Sequence, residues 1–164
     1  MPSSLNIPNE SLERDAFWMR RALLLADQAA LRGEVPIGAV VVVGEVEVAA
    51  AGNSRESAAD PTGHAEINAL RAAGAARGHW RLDDATVYVT LEPCAMCAGA
   101  MVLARIARCV YAAPDPKGGF LGTLGNLAEF PGLNHRFEVS SGVLQAEASE
   151  QLRSFFRLLR SKDR

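Results

Sequence analysis

From about Ser11 to Arg32 apolar residues recur at helical spacing. Trp18, Ala22, Leu25 and Ala29 form one stripe, widened by Met19, Leu23 and Ala26 and interrupted by Arg20, Arg21 and Asp27. Gly33 and Pro36 close this stretch, so the pattern predicts a long amphipathic helix that acts mostly as scaffold. Ile37 to Val43 is a β-branched run, and Gly44-Glu45 can turn it back into Val46 to Ala51, which predicts a hairpin. Asn53 follows on a loop, and Pro61-Thr62-Gly63 punctuates the chain before an Ala-rich helix from His64 that stops near Gly74 to Gly78. Ala85 to Leu91 reads as a buried strand, Cys94 to about Arg105 as a helix and Arg108 to Ala113 as another strand. That order predicts a right-handed parallel crossover. A glycine-rich loop, PDPKGGFLGTLGN, then leads to a strand around Phe137 to Val143 and a closing helix over about Ala146 to Arg160.

Helices alternating with a mixed sheet predict an α/β layer sandwich, and ligands in such sheets bind at the carboxyl ends of the strands. The 164 residues are of single-domain length, enough to bury roughly 70% of the unfolded surface. The expected division is a flexible N-terminus over 1–10 and one domain over 11–164. No apolar run approaches the roughly 18 residues of a membrane span, and the N-terminus has no apolar signal segment, so a cytoplasmic, soluble protein is expected. In a reducing compartment the three cysteines should be thiols or metal ligands. The net charge of -2 gives no global attraction to nucleic acid, so an RNA partner would need a local basic surface.

The candidate chemistry lies in TLEPCAMCAG. Cys94 and Cys97, three apart on one helix face, would have Cβ atoms about 5–6 Å apart, a spacing that fits one tetrahedral metal ion. The free amides and dipole of a helix start stabilise thiolates. A thioredoxin-like dithiol fits the C-x-x-C equally well; His64-Ala65-Glu66 at a second helix start favours the metal. For His64 and Glu66 to converge, His64 must sit at or before the N-cap, because i and i+2 of a regular helix point about 200° apart. One His and two Cys leave a fourth position open to water, the mark of a catalytic zinc. Cys109, inside an apolar strand, is expected to be a core thiol. Glu66 would carry protons from that water to the substrate and its leaving amine.

H-x-E followed by P-C-x-x-C is the signature of the zinc deaminases. From about residue 17 to 160 the chain resembles the bacterial tRNA-specific adenosine deaminases, through EVPIGAVVV, GNSR, DPTGHAEINALR, ATVYVTLEPCAMCAGAMVLARI, PGLNHRFEV and SFFRLLR. The resemblance implies a three-layer αβα sandwich around a five-stranded mixed sheet, a homodimer, and one zinc ion per subunit whose hydroxide attacks a flipped base. The substrate it implies is the wobble adenosine of a tRNA anticodon stem-loop, converted to inosine with release of ammonia. By match, His64, Cys94 and Cys97 would hold the zinc and Glu66 would shuttle protons. Asn53 would contact the nucleoside, Val35, Pro36 and Leu91 would line its pocket, and Asp115, Lys117, Asn134, His135 and Phe156 would contribute to substrate binding. Pro114, Pro116 and Phe130 depart from the family pattern, in the part that would contact RNA.

In the last helix Leu152, Phe155, Phe156 and Leu159 form a stripe expected to pack on the sheet. Arg153, Arg157, Arg160 and Arg164 share its spacing. Arg157 and Arg160 are candidate phosphate contacts, against the alternative of a solvated face. GGFLGTLG is expected to be a mobile loop, with direct phosphate contact by its backbone a minor alternative. Beside the tRNA reading stand a zinc deaminase of a free base or nucleoside, of guanine or cytosine type, and a non-catalytic zinc-stapled RNA-binding module. Glu66 argues against the last, since a structural zinc needs no uncoordinated carboxylate.

Overall fold

A computed structural model describes residues 7–163. Four helices, α1 (Ile7–Leu31), α2 (Ala65–Arg77), α3 (Ala95–Ala104) and α4 (Gln145–Lys162), enclose five strands. The strands are β1 (Gly38–Val43), β2 (Val46–Gly52), β3 (Ala85–Leu91), β4 (Arg108–Ala113) and β5 (Glu138–Ser141). They form one sheet in the order β2-β1-β3-β4-β5, with β1 antiparallel to both neighbours and β3, β4 and β5 parallel. The expected α/β sandwich with a mixed five-stranded sheet is therefore present. Of the N-terminal ten residues expected to be loose, 1–6 lie outside the described residues. Ile7 to Glu10 already belong to α1, where a proline in the first turn forfeits no intrahelical bond.

Period-two alternation divides the strands between two apolar layers. Val40, Val42, Tyr88, Val110 and Ala112 pack under α1 and the start of α4. Ala39, Val41, Val87, Val89, Cys109 and Tyr111 pack under α2 and α3. Because both faces are covered, the central strands read as unbroken apolar runs. α1 lies so close to β1 that a Cβ on Gly38 would overlap the Ala22 carbonyl oxygen, and only glycine allows that approach.

Two elements differ from the sequence pattern. β5 is shorter than the expected Phe137 to Val143, because its pairing to β4 ends at Tyr111–Ser141 and Gly142 then turns with φ +87°. The apolar stripe of α4 does not lie on the sheet throughout: Leu152 and Phe155 are half-buried, but Phe156 is 40% and Leu159 45% exposed. The later turns of α4 lie beside the end of α1 instead, where Phe155, Leu158 and Leu159 line a groove with Leu31 and Pro36.

A buried polar tie holds α1 to the sheet. Asp15 accepts from Arg108 Nη1 at 2.9 Å, Arg108 Nη2 at 2.7 Å and the Tyr88 hydroxyl at 2.9 Å, and it is 3% exposed. Removing the carboxylate would leave a half-buried guanidinium unpaired. Asp15→Ala is expected to lower unfolding free energy by about 3 kcal/mol, as read in urea denaturation, without changing metal content.

Candidate active site

The carboxyl end of β3 and the first turns of α2 and α3 meet at one point. Pro93 precedes Cys94, the N-cap of α3, whose backbone is extended (φ -73°, ψ 177°). His64 is the N-cap of α2, also extended (φ -79°, ψ 149°), as the convergence with Glu66 requires. The turn before it is built by Asp60, whose Oδ1 accepts from the backbone and hydroxyl of Thr62, both at 2.8 Å, and whose carbonyl accepts from Gly63 N at 3.0 Å. The His64 side chain makes no capping bond to α2, and the Cys94 sulfur turns to Cys97 and His64. Both point inward instead, and the positive ends of two helices face the same volume.

His64 Nδ1 lies 3.6 Å from Cys94 Sγ and 3.5 Å from Cys97 Sγ. Zn–S bonds of about 2.3 Å and a Zn–N bond of about 2.1 Å at tetrahedral angles require an N to S separation of about 3.6 Å. The donor set fits zinc. The three ligand atoms lie within 4.8 Å of one another, and among the described residues the cluster contains no fourth donor. Cys109 is fully buried in the layer under α3, the core thiol expected.

Electrostatics at the cluster follow from burial and proximity. Cys94 is drawn down to about 4 by the hydrogen bond from Cys97, with His64 assisting. Cys97 is driven up by the same bond and by burial. His64 is raised by its bond to Cys94, against the effect of burial. Glu66, in the first turn of α2 and 4% exposed, is pushed up to about 7 by burial, with His64 pulling the other way.

A cavity of about 250 Å³ opens onto the cluster. Its apolar walls are Val35, Ile37, Leu91 and Phe156, and its polar groups are Asn53, Arg55, Glu66, Glu92 and Asp115. That is near the lower end for small-molecule sites, room for a nucleobase rather than a strand. Asn53 Nδ2 donates to the Val35 carbonyl at 3.4 Å, while its Oδ1 is buried and has no partner. A buried acceptor left unpaired costs about 1–3 kcal/mol, which a donor on a bound ligand would recover. A larger groove of about 740 Å³ between α1 and α4 contains none of the metal donors.

Of the residues expected at the site, His64, Glu66, Cys94, Asn53, Val35, Leu91, Asp115 and Phe156 line this cavity. Cys97 lies behind it, fully buried. Pro36 lines the α1–α4 groove instead, because Ile37 N donates to the Val35 carbonyl at 2.9 Å and closes a tight turn with Pro36 at its apex, which turns Pro36 away from its two neighbours. Lys117, Arg157 and Arg160 line a neighbouring groove with Arg153, and Phe156 is shared between that groove and the cavity. His135 lies at the other end of the sheet, where its Nε2 donates to the Ile106 carbonyl at 2.7 Å and its ring stacks on Phe137; Asn134 is exposed beside it. Neither reaches the cavity of its own chain. Ile37, Arg55 and Glu92 were not anticipated. Glu92 had a visible signal, a carboxylate closing an apolar strand.

Residues 13–160 match the model of the MafB19-like deaminases. The tRNA-specific adenosine deaminase of Bacillus subtilis is 48% identical over 151 residues, covering 92% of this chain and 94% of that protein. A solved structure from studies of A-to-I editing by tRNA deaminases at the wobble position of transfer RNA is 45% identical. It superposes with a TM-score of 0.79 over 82% of this chain and 97% of its own. A guanine deaminase structure from Nitrosomonas europaea, 24% identical with a TM-score of 0.73 over 84% of this chain and 81% of its own, shares the fold.

Proposed function

The chain belongs to the tRNA-specific adenosine deaminases, and on that premise we propose that it hydrolyses the 6-amino group of the wobble adenosine in a tRNA anticodon, giving inosine and ammonia. The observation that carries the reading is the meeting of three metal donors, a buried carboxylate and an unpartnered amide oxygen around one base-sized cavity. Zinc is the ion the donors fit, and when bound it would supply a water acidified toward a pKa of about 7. Glu66 does the proton work: its burial holds it near the value at which a group both takes and gives protons at neutral pH. It would take a proton from the attacking water and deliver it to N1 of the adenine, then take the remaining proton from the new hydroxyl on C6 and deliver it to N6, so that the C6–N6 bond breaks, the C6 carbonyl forms and ammonia rather than an amide anion leaves. Asn53 Oδ1 is placed to accept from the nucleoside. Val35, Ile37, Leu91 and Phe156 wall the base off from bulk water.

Basic residues next to the cavity support a polynucleotide over a free base. Lys117, Arg153, Arg157 and Arg160 line one groove that shares Phe156 with the cavity, in a chain of net charge -2. Arg153 and Arg157 approach Glu150 at 3.0 and 3.8 Å through exposed pairs worth little in water, so phosphate can compete for them. Arg157→Ala and Arg160→Ala should each weaken stem-loop binding and lower its salt slope by about one, read by fluorescence anisotropy across salt concentrations. We also read the protein as a cytoplasmic homodimer. Met101 and Val102 belong to the core, but Trp80 and Leu103 are 59% and 70% exposed and line an apolar groove between α2 and α3. Sedimentation equilibrium should give twice the chain mass, and Leu103→Asp should shift it to the monomer.

The direct test is incubation with anticodon stem-loops, adenosine, guanine and cytidine, with inosine and ammonia measured. Inosine at the wobble base of the stem-loop is the expected product. Turnover confined to a free base would replace this reading with the free-base alternative.

A further inference from the structure

Glu92 is 2% exposed and follows the last residue of β3, two residues before Cys94. Four donors converge on its carboxylate. Oε1 accepts from Asp115 N at 3.1 Å and from the Thr123 hydroxyl; Oε2 accepts from Leu121 N and Thr123 N, both at 3.1 Å. A carboxylate offers about four lone-pair sites, so this one has none left for a substrate proton. It lies at the cavity wall without being equipped for acid–base work.

The chain from Asp115 to Thr123 wraps around that anion. Gly119 passes directly over it, so close that a Cβ there would overlap the carboxyl atoms. Gly119 also bridges to Cys94, Phe120 N donates to the Pro93 carbonyl at 2.9 Å, and Glu92 N donates to the Ala113 carbonyl at 2.8 Å. Amides that could have cradled a ligand phosphate are thus committed to an internal carboxylate. Two groups of the site ride on this segment: Asp115 at the cavity, whose Oδ1 accepts from Lys117 N at 3.0 Å, and Lys117 in the basic groove.

We infer that Glu92 is a positioning residue for substrate, an internal anion that folds residues 115–123 into the segment that supplies Asp115 to the cavity wall and Lys117 to the neighbouring groove, and thereby sets both against the nucleotides flanking the target base. The inference rests on the tRNA reading of the site. Glu92→Gln puts an amide N–H against the backbone donors in place of one acceptor, so the wall loosens while the metal ligands stay in place.

The test compares the zinc-loaded dimer with Glu92→Gln, Gly119→Ala, Glu92→Ala and the Glu92→Ala/Gly119→Ala double variant. Zinc content, Tm, amide exchange over 115–123, and kcat and KM on an anticodon stem-loop are measured. Expected are a rise in KM of about tenfold or more for Glu92→Gln and for Gly119→Ala, with kcat within about threefold and zinc unchanged. Leu121 and Thr123 amides should lose protection in Glu92→Gln. In the Glu92→Ala background the Gly119→Ala substitution should have little further effect, because its methyl fills vacated space. A fall in kcat at constant KM, zinc loss in proportion to activity, or a Gly119→Ala penalty undiminished in that background would each overturn the inference. If the wild-type protein does not deaminate the stem-loop, the functional reading has failed; unchanged exchange at Leu121 and Thr123 in Glu92→Gln is the separate failure of the anchor.

Discussion

Glu66→Ala is expected to keep its zinc, its fold and its affinity for the anticodon stem-loop while kcat falls by about a thousandfold to ten-thousandfold. General acid–base catalysis by one positioned group accounts for up to about ten-thousandfold. In the proposed mechanism this carboxylate serves both attack and departure, so the loss should lie at the upper part of that range. Melting temperature should not fall, because the carboxyl is buried at 4% exposure and its removal relieves a desolvation cost. Metal analysis with single-turnover inosine formation decides the matter. Turnover in Glu66→Ala near the wild-type rate would remove the proposed proton carrier, and loss of zinc would make Glu66 a ligand.

Cys97→Ala should have the complementary effect, with zinc lost, activity abolished and stability lowered. The sulfur is fully buried and 3.5 Å from His64 Nδ1, so no solvent molecule takes its place without a cavity to occupy. Binding at a thousand times the dissociation constant stabilises the folded state by about 4 kcal/mol. At roughly 2–4 °C per kcal/mol for a chain of this size, the zinc-free variant should melt about 8–16 °C below the loaded wild type. Chelation of the wild type should reproduce most of that drop, and added zinc should reverse it. Cys109→Ala is the control: its thiol packs under α3, so about 1 kcal/mol of packing is lost while zinc and turnover remain.

The legible parts of the fold were those where local pattern and tertiary need coincide. Ala85 to Leu91 and Arg108 to Ala113 appeared in the sequence as continuous apolar runs between clear breaks, and they are β3 and β4 to the residue, because strands covered on both faces need nothing else. The C-terminal helix shows the limit. Its apolar stripe gives a helix and a face, but not how much sheet lies beneath, and Phe156 proved to be a wall of the cavity. The hydrogen bonds of Glu92 were not legible for a related reason: its donors lie 23 to 31 residues further along, in a loop whose glycines look permissive until something is found underneath them. The separation of Val35 from Pro36 likewise depends on one three-residue turn between α1 and β1, closed by the bond from Ile37 N to the Val35 carbonyl.

By itself the sequence determined the chemistry. Two cysteines one helical turn apart behind a proline, and a histidine beside a glutamate at a second helix start, specify donor types and spacings that suit one ion and one proton carrier whatever lies around them. The tertiary structure alone decided the company those groups keep. It brought two helix N-termini to one strand end, left one amide oxygen of Asn53 unpaired inside a cavity, and set the arginines of α4 beside it. The difference is one of range: the Cys94–Cys97 spacing, the His64–Glu66 spacing and the helix starts are set within about one turn of chain, whereas the meeting of His64 with the cysteines 30 and 33 residues on, and the cavity walls, come from segments far apart in sequence that meet only when the two apolar layers close on the sheet.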